Sequence, residues 1–304
     1  MYQKILVPLD GSQLSEGILP YARIFAKALE IPVELLNVID SVTFMPTTVD
    51  HDRYHAMLVA EREKNADYLR KVALLFSDAS SVDCTVEVGN PPEVIVDKAA
   101  ASRDTLIAVA THGRSGVKRW FLGSVADKVL HAASNDLLLV RTPEEATTIE
   151  AVALKSVFVP LDGSPLAESA MARAVELAKK MDLEVILLRI SSFPTVYFVE
   201  GYTPDMGEIW DQIREEAEDY LREKIGQLQR EGVKRVSMLA AEGHPAEKII
   251  DLVQKKPQSL VAMCTHGRTG VGRWVLGSVT ERVVRYSGDP VLVVRASTKS
   301  EPFA

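Results

Sequence analysis

The chain has 304 residues, of which 47% are apolar and 25% are charged, and its formal net charge is −7. An acidic chain without a long basic run argues against a nucleic acid or an anionic membrane as the main partner. No apolar run is long enough to span a bilayer, and the first predicted strand begins at Lys4. We therefore expect no signal peptide, no membrane partner and a cytoplasmic location. Cys84 and Cys264 lie in apolar runs and are predicted to be buried and reduced.

The first half of the chain alternates short apolar runs with longer amphipathic segments. The apolar runs predict five parallel strands, at Lys4–Leu9, Pro32–Val38, Val82–Val88, Thr105–Ala110 and Leu137–Arg141. The segments between them predict helices at Gln13–Leu29, Tyr54–Ser77, from Pro91-Pro92 onward, and at Ser124–Ala133. This alternation predicts an α/β fold with an open, doubly wound parallel sheet in strand order 3-2-1-4-5, resembling the Rossmann arrangement.

The second half repeats the pattern. Apolar runs at Val157–Leu161 and Glu184–Ile190 match the first two strands, and a long charged helix is expected at Asp205–Arg230. A length near 300 residues favours two domains of about 150 residues each. We predict a first domain over residues 1–142, a linker over 143–154 and a second domain over 155–304.

One glycine-rich segment occurs in both halves. Residues 111–130 and 265–284 are identical at 13 of 20 positions, and each copy follows an apolar strand and ends in a helix opened by Gly-Ser. The unpaired amides of a helix start and its positive dipole end bind anions such as phosphate. The alternative is that Ser124 and Ser278 only cap their helices, with Ser278 and Glu281 forming a capping box.

The first strand of each half ends in Asp-Gly-Ser, which places Asp10 and Asp162 at the carboxyl end of the sheet. Ligands of doubly wound sheets bind at this edge, where the strand order reverses between the first and fourth strands. A carboxylate there accepts a hydrogen bond from a ribose hydroxyl or an adenine amino group. Both aspartates are equally well explained as turn residues at the start of a helix.

The remaining polar residues of the repeated segment allow two readings. Arg114 and Arg268 either neutralise phosphate or lie solvated in the loop. His112 and His266 have no cysteine or histidine at metal-ligand spacing, so we predict no metal site. Trp120 and Trp274 are expected to anchor the loop rather than to stack on a base.

At these residues the chain resembles the universal stress protein family, in its tandem form with two domains in one chain. The family's ATP-binding branch carries the pattern G-x2-G-x9-G-[ST]. This spacing is kept by Ala110, Gly113, Gly123 and Ser124, and again by Cys264, Gly267, Gly277 and Ser278. The first glycine of the pattern is therefore replaced in both copies.

The resemblance implies a pocket for an adenine nucleotide in each half, and it suggests dimerisation through the last strand. In the first domain the candidate nucleotide-binding residues are Pro8, Leu9, Asp10, Val38, Ala110, Gly113, Arg114, Gly123, Ser124 and Val125. In the second domain they are Pro160, Leu161, Asp162, Ile190, Gly267, Arg268, Gly277, Ser278 and Val279. Here the last strands, Leu137–Val140 and Val291–Val294, are expected to pair inside one chain as a pseudo-dimer, with a homodimer as a further option.

Three functions compete at this point. The first is a regulatory stress-response protein that binds ATP, ADP or AMP, with Mg²⁺ as an optional companion, and changes its partner-binding surface. The second is a slow ATPase or phosphotransfer enzyme. We expect no dedicated catalyst, because the sequence has no Walker lysine motif and no obvious carboxylate cluster for magnesium. The third is an interaction scaffold that has lost nucleotide binding, an alternative that the replaced first glycines keep open.

Overall fold

The computed structural model describes residues 1–44, 51–111, 122–141, 152–192, 206–265 and 276–295. The chain divides into two compact units, Met1–Ala153 and Leu154–Ala304. None of the helices within the described ranges is long and apolar enough to cross a membrane.

The first unit is a five-stranded parallel sheet flanked by helices. Its strands are β1 (Lys4–Pro8), β2 (Val33–Asp40), β3 (Val82–Gly89), β4 (Thr105–Ala110) and β5 (Leu137–Val140). They lie in the order β3-β2-β1-β4-β5. The helices are α1 (Gln13–Glu16), α2 (Leu19–Leu29), α3 (Ser41–Phe44), α4 (His51–Ala73), α5 (Pro91–Ala100) and α6 (Ser124–Ala132), with a 3-10 turn at Leu74–Phe76.

The second unit has the same topology. Its strands are β6 (Ser156–Pro160), β7 (Glu184–Ser191), β8 (Val236–Glu242), β9 (Ser259–Cys264) and β10 (Val291–Val294), and they lie in the order β8-β7-β6-β9-β10. Its described helices are α7 (Pro165–Met181), α8 (Met206–Arg230), α9 (Pro245–Gln254) and α10 (Ser278–Tyr286). Both units confirm the predicted doubly wound parallel sheet with the order 3-2-1-4-5.

The central strands are buried along their whole length. Every residue of β4 and of β9 is buried. Strands of a parallel sheet that is covered on both faces read as continuous apolar runs, which is why the sequence pattern located them. The predicted bounds of β4, Thr105–Ala110, are the observed ones.

The predicted helix Gln13–Leu29 is wrong, because the chain forms two helices there. α1 ends at Gly17, whose amide donates to the Leu14 carbonyl oxygen at 3.3 Å, and α2 begins at Leu19 with a proline in its first turn. Proline has no amide hydrogen to continue the ladder and its ring clashes with the preceding turn. The second unit has Ala172 at the position of Pro20, and α7 is accordingly continuous.

The two cysteines differ in exposure. Cys264 is buried at the end of β9, as predicted, whereas Cys84 is exposed and its predicted burial is wrong. Cys84 lies on β3, the outermost strand of the first unit's sheet order, where neighbouring elements cover fewer sides than at β4. An apolar run therefore identified the strand but not its place in the sheet.

A buried polar position before the last strand differs between the units. Asn135 is 1% exposed, and its amide nitrogen donates to the carbonyl oxygens of Ser102 at 2.8 Å and Thr105 at 3.1 Å. Asp289 occupies the corresponding position, 154 residues later. Loss of solvent raises the pKa of the Asp289 carboxyl from 3.8 to about 6. Only the protonated acid can donate a hydrogen bond as the Asn135 amide does.

This difference predicts that Asp289→Asn stabilises the protein at high pH. The pKa of Asp289 is higher in the folded protein than in the unfolded chain. The stability that this group contributes is therefore fully present below pH 3.8 and is lost as the pH rises through about 6. After discounting for solvent exposure, we expect the free energy of unfolding to rise by about 1 kcal/mol at pH 8. Urea denaturation at pH 5 and pH 8 measures the effect.

The reverse substitution, Asn135→Asp, is the matched control for this experiment. It should lower stability at pH 8 more than at pH 5, because it places a carboxyl group among backbone carbonyl oxygens. An equal change at both pH values in Asp289→Asn would contradict the assignment.

Candidate functional site

A cavity of about 530 Å³ opens at the carboxyl ends of β1, β2 and β4 in the first unit. β1 lies between β2 and β4, so the strand order reverses at this point and the adjacent loops diverge. The residues that line the cavity are Pro8, Leu9, Asp10, Ser15, Leu36, Asn37, Val38, Ile39, Asp40, Glu61, Asn65, Pro91, Ile95, Val109, Ala110, Gly123, Ser124, Val125 and Ala126.

The cavity brings together the described site residues that the sequence predicted for this unit. These are Pro8, Leu9, Asp10, Val38, Ala110, Gly123, Ser124 and Val125. They come from the ends of three strands and from the start of α6, which are far apart in the chain. The other predicted residues and alternatives of the repeated segments lie outside the described residues: His112, Gly113, Arg114, Trp120, His266, Gly267, Arg268 and Trp274.

Helix α6 begins at the cavity with its first amides unpaired inside the helix. Gly123 is the cap residue, and its own amide donates to the carbonyl oxygen of Thr111 at the end of β4. The next three amides, of Ser124, Val125 and Ala126, belong to the first turn and have no intrahelical acceptor. No side chain among the described residues caps this turn. The helix start therefore presents donors and a positive dipole end to the cavity.

The second unit repeats this geometry. The amide of Gly277 donates to the carbonyl oxygen of Thr265 at 2.6 Å, and Ser278, Val279 and Thr280 form the first turn of α10. The alternative in which Ser124 and Ser278 act as caps is wrong, because the glycine before each serine holds the cap position. The hydrogen bond from Gly277 to Thr265 fixes the glycine at the end of β9, so the helix cap lies one residue before the serine.

Asp10 combines the two roles that the sequence left open. It lines the cavity, and its Oδ1 accepts hydrogen bonds from the Ser12 amide at 2.9 Å and the Ser12 hydroxyl at 2.6 Å. Asp162 makes the same turn, since its Oδ1 accepts from the Ser164 amide at 2.9 Å. The turn fixes each carboxylate at the end of its strand, beside the place where α1 or α7 begins.

Sequence reasoning missed several polar residues of the cavity wall: Asn37, Asp40, Glu61 and Asn65, together with Ser15. Asn37 and Asp40 lie in β2, and Glu61 and Asn65 lie one helical turn apart on α4. A useful signal existed at Asn37, because an amide inside an otherwise apolar strand needs a partner. Nothing in the sequence of α4 singles out the turn that reaches the cavity.

Asn37 is the most buried of these polar residues. It is 4% exposed, and its Nδ2 donates to the carbonyl oxygen of Leu9 at 2.9 Å, which fixes the orientation of the amide. Its Oδ1 is buried and accepts no hydrogen bond from the described residues. An unsatisfied buried acceptor is costly, and this oxygen has almost no surface accessible from the cavity.

The cavity has opposite chemical character on its two sides. The carboxylates of Asp10, Asp40 and Glu61 supply hydrogen-bond acceptors, whereas the start of α6 supplies donors. Leu9, Val38 and other apolar residues also line the cavity. This arrangement suits a ligand that combines an anionic group with apolar surface and with hydroxyl or amino donors.

A tyrosine and a glutamate form a matching pair in each unit. The Tyr68 hydroxyl donates to Glu16 at 2.9 Å, and the Tyr220 hydroxyl donates to Glu168 at 2.8 Å. Burial, followed by the hydrogen bond to Glu16, raises the pKa of Tyr68 above its ordinary value, and burial and Glu168 do the same for Tyr220. Both tyrosines therefore stay protonated and act as fixed hydroxyl donors.

The predicted residues of the second unit lie at the corresponding strand ends. Pro160 ends β6, Leu161 is buried and donates its amide to the Leu188 carbonyl oxygen at 2.7 Å, and Ile190 lies near the end of β7. Cys264 ends β9 at the position of Ala110.

Cys264 is enclosed by polar contacts that the first unit does not have. The Ser169 hydroxyl donates to its sulfur at 3.4 Å, and the Thr280 hydroxyl donates to its carbonyl oxygen at 2.8 Å. The first unit carries Gly17 and Ala126 at these two positions, neither of which has a hydroxyl group. Ala110 and Cys264 are equally exposed at 6%, so the two strand ends differ in hydrogen bonding rather than in burial.

Comparison with known proteins assigns this architecture to a family. The model of the universal stress protein family matches residues 1–141 and 153–295. The chain belongs to the universal stress protein family. Its two matches follow one another along the chain, so it is a tandem member with one family domain in each half.

The relatives include chains that match this protein over nearly its whole length and chains that match only one half of it. A universal stress protein of Mycolicibacterium smegmatis is 25% identical over 301 residues, covering 96% of each chain. One of Methanocaldococcus jannaschii is 33% identical over 147 residues, which are 48% of this chain and 84% of that protein. The crystal structure of a universal stress protein from Archaeoglobus fulgidus has a TM-score of 0.70 at 24% identity, covering 98% of this chain and 100% of that one. This last match shows the fold.

The cap assignment predicts that two serines of this universal stress protein contribute differently to stability. Ser164 caps α7 by accepting a hydrogen bond from the Ala167 amide at 3.1 Å, whereas Ser278 makes no cap bond. We expect Ser164→Ala to lower the free energy of unfolding by about 1 kcal/mol and Ser278→Ala to change it by less than about 0.5 kcal/mol. Equilibrium denaturation of both variants measures the difference, and a larger loss for Ser278→Ala would contradict the cap assignment.

Proposed function

We propose that this protein binds adenine nucleotides in the cleft of its first unit and acts as a nucleotide-dependent regulator in the response to stress. The observation that carries the proposal is the cavity of about 530 Å³ that joins the unpaired amides of α6 to the acceptor groups of β1, β2 and α4. Such a volume lies within the range of cavities that hold a small ligand. The family pattern over Ala110, Gly123 and Ser124 supports the same ligand.

The phosphate end of the nucleotide lies at the first turn of α6. The amides of Ser124 and Val125 donate to phosphate oxygens, and the helix dipole favours their negative charge. Gly123 adopts φ −56°, which any residue can adopt, so its importance at this point is spatial. A side chain on Gly123 would occupy the space that the phosphate needs.

The nucleoside end lies against the other side of the cavity. Asp10 accepts a hydrogen bond from a ribose hydroxyl, and Val38 with Leu9 provides apolar contact to the base. Asn37 supports this wall by donating a hydrogen bond to the Leu9 carbonyl oxygen. The second unit offers Asp162 and Ile190 at the corresponding positions, and we extend the proposal to that unit with a ligand preference of its own.

A regulatory role fits the cleft better than a dedicated phosphotransfer reaction. Among the described residues, no group of three or more His, Cys, Asp or Glu side chains could hold a metal ion. Asp10, Asp40 and Glu61 line the cavity but do not form such a group. Magnesium would therefore arrive with the nucleotide phosphates. A steady-state assay with Mg²⁺ and ATP separates the two functions, since turnover well above background would favour the enzyme.

Regulation would operate through the population of conformations. A nucleotide that contacts α6, β1 and α4 at once favours the arrangement in which these elements stay together, and so changes which surface a protein partner meets. The pairing of the last strands, Leu137–Val140 with Val291–Val294, and a homodimer stay predictions in this scheme.

The proposed pose predicts that Gly123→Val abolishes nucleotide binding in the first unit. The valine side chain would fill the phosphate space, and we expect affinity for AMP and ATP at that site to fall by at least about a hundredfold. Calorimetric titration of the full chain measures affinity and stoichiometry together, so the loss of one site appears as a lower stoichiometry.

Gly226→Ala provides the control for this substitution. Gly226 lies in α8, and a Cβ at that position would meet no atom within 4 Å. Its nucleotide binding should equal that of the unchanged chain. Unchanged affinity and stoichiometry in Gly123→Val would refute the proposed pose, and an absence of binding in the unchanged chain at millimolar nucleotide would leave only the scaffold function.

A further inference from the structure

The two units share a frame that makes their cleft residues directly comparable. The Leu9 amide donates to the Leu36 carbonyl oxygen at 2.8 Å, and the Leu161 amide donates to the Leu188 carbonyl oxygen at 2.7 Å. The Tyr68 pair with Glu16 is likewise repeated by Tyr220 with Glu168. The residues that follow Leu36 and Leu188 therefore correspond to each other.

Those corresponding residues are Asn37 in the first unit and Arg189 in the second. Asn37 is a neutral, buried amide that bonds to the β1 backbone. Arg189 is half-buried, and its guanidinium carbon lies 4.6 Å from the centroid of the Tyr220 ring. Stacking on an aromatic face holds a guanidinium group in place while its edge stays available for hydrogen bonds.

Arg189 and Asp162 lie at the carboxyl ends of two neighbouring strands, because Pro160 on β6 pairs with Leu188 on β7. The negative charge of Asp162 acts on Tyr220, and so does the positive charge of Arg189. Of these two groups, Arg189 is the one in contact with the ring. Lys224 also lies near this ring, 5.5 Å from its centroid, but its ammonium group is paired with Glu168 at 2.8 Å. Of the two cations described at this ring, Arg189 is the one that is not paired with Glu168.

Two further substitutions change the charge of the same wall. Asp40 and Glu61 line the first cavity, and their counterparts in the second unit are Ser192 and Ile213. Together with the change from Asn37 to Arg189, each substitution makes the second wall more positive by one formal charge. The first wall favours neutral hydroxyl donors, and the second favours an anionic group.

We propose that the second cleft selects a nucleotide that carries a phosphate on its ribose in addition to its 5′-phosphate, with Arg189 binding the extra phosphate. This proposal rests on the proposed function, because it places the ribose of the nucleotide beside Asp162. The chemistry is that of other doubly wound folds, where a carboxylate binds a free ribose hydroxyl and a nearby arginine accommodates a ribose phosphate. A planar guanidinium group can bind a phosphate through two parallel hydrogen bonds.

The test uses the full chain with one cleft blocked at a time. Gly123→Val leaves the second cleft, and Gly277→Val leaves the first. Each variant is titrated calorimetrically with AMP, adenosine 2′,5′-bisphosphate and adenosine 3′,5′-bisphosphate, after circular dichroism shows that it is folded. In the Gly123→Val chain, we expect at least one bisphosphate to bind about tenfold to a hundredfold more tightly than AMP. In the Gly277→Val chain, neither bisphosphate should bind more tightly than AMP.

Substitution of Arg189 in the Gly123→Val chain tests the residue itself. Arg189→Asn, which copies the first unit, should bring the affinity ratio of bisphosphate to AMP close to one. Arg189→Lys keeps the charge without the planar group and should retain part of the preference, which separates a binding role from a structural one.

Each other result overturns the inference. It is refuted by equal affinities for AMP and both bisphosphates in the second cleft, by a preference that survives Arg189→Asn, or by a second cleft that binds no nucleotide. Binding of AMP in the Gly277→Val chain reports separately on the proposed function. If the first cleft also fails to bind, the proposed function and this inference fall together.

Discussion

The hydrogen bond between the end of the fourth strand and the start of the following helix is the constraint on which each cleft depends. In the first unit the Gly123 amide donates to the Thr111 carbonyl oxygen, and in the second the Gly277 amide donates to the Thr265 carbonyl oxygen. This bond removes one amide from the unpaired set and aims the next three at the strand ends. In the first unit, Asp10 at the end of β1 lines the same cavity as this helix start.

The two units share the same structural framework but differ in the residues at the cleft wall. The buried strands, the Asp turns and the Tyr–Glu pairs recur in both units. Their contacts lie within the core or at its edge, where a change in volume or pairing would lower stability. The wall residues Asn37, Asp40 and Glu61 have counterparts of different charge, because a cleft residue can change without disturbing the sheet. In the proposed function, this divergence gives each unit a ligand preference of its own.

Much of the fold was readable in the sequence, for physical reasons that also explain the errors. Burial on both faces makes β4 and β9 continuous apolar runs, so their place in the chain was evident. The break between α1 and α2 follows from Pro20. The apolar residues keep their helical spacing across this break, so the pattern alone predicts one continuous helix. The exposure of Cys84 depends on which strand lies outermost, and apolar content does not encode that position.

The sequence by itself determined the family frame: two α/β units, the repeated glycine-rich segment, and an aspartate at the end of each first strand. Only the tertiary structure decided which further residues surround the cavity. Asn37 and Asn65 come from different elements and meet at one cavity, because β2 ends where a turn of α4 passes over it. Likewise, Arg189 and Tyr220 are 31 residues apart in sequence, and packing of α8 on β7 brings them within 4.6 Å. Local patterns specify helices and strands, whereas such contacts depend on how the chain folds back on itself.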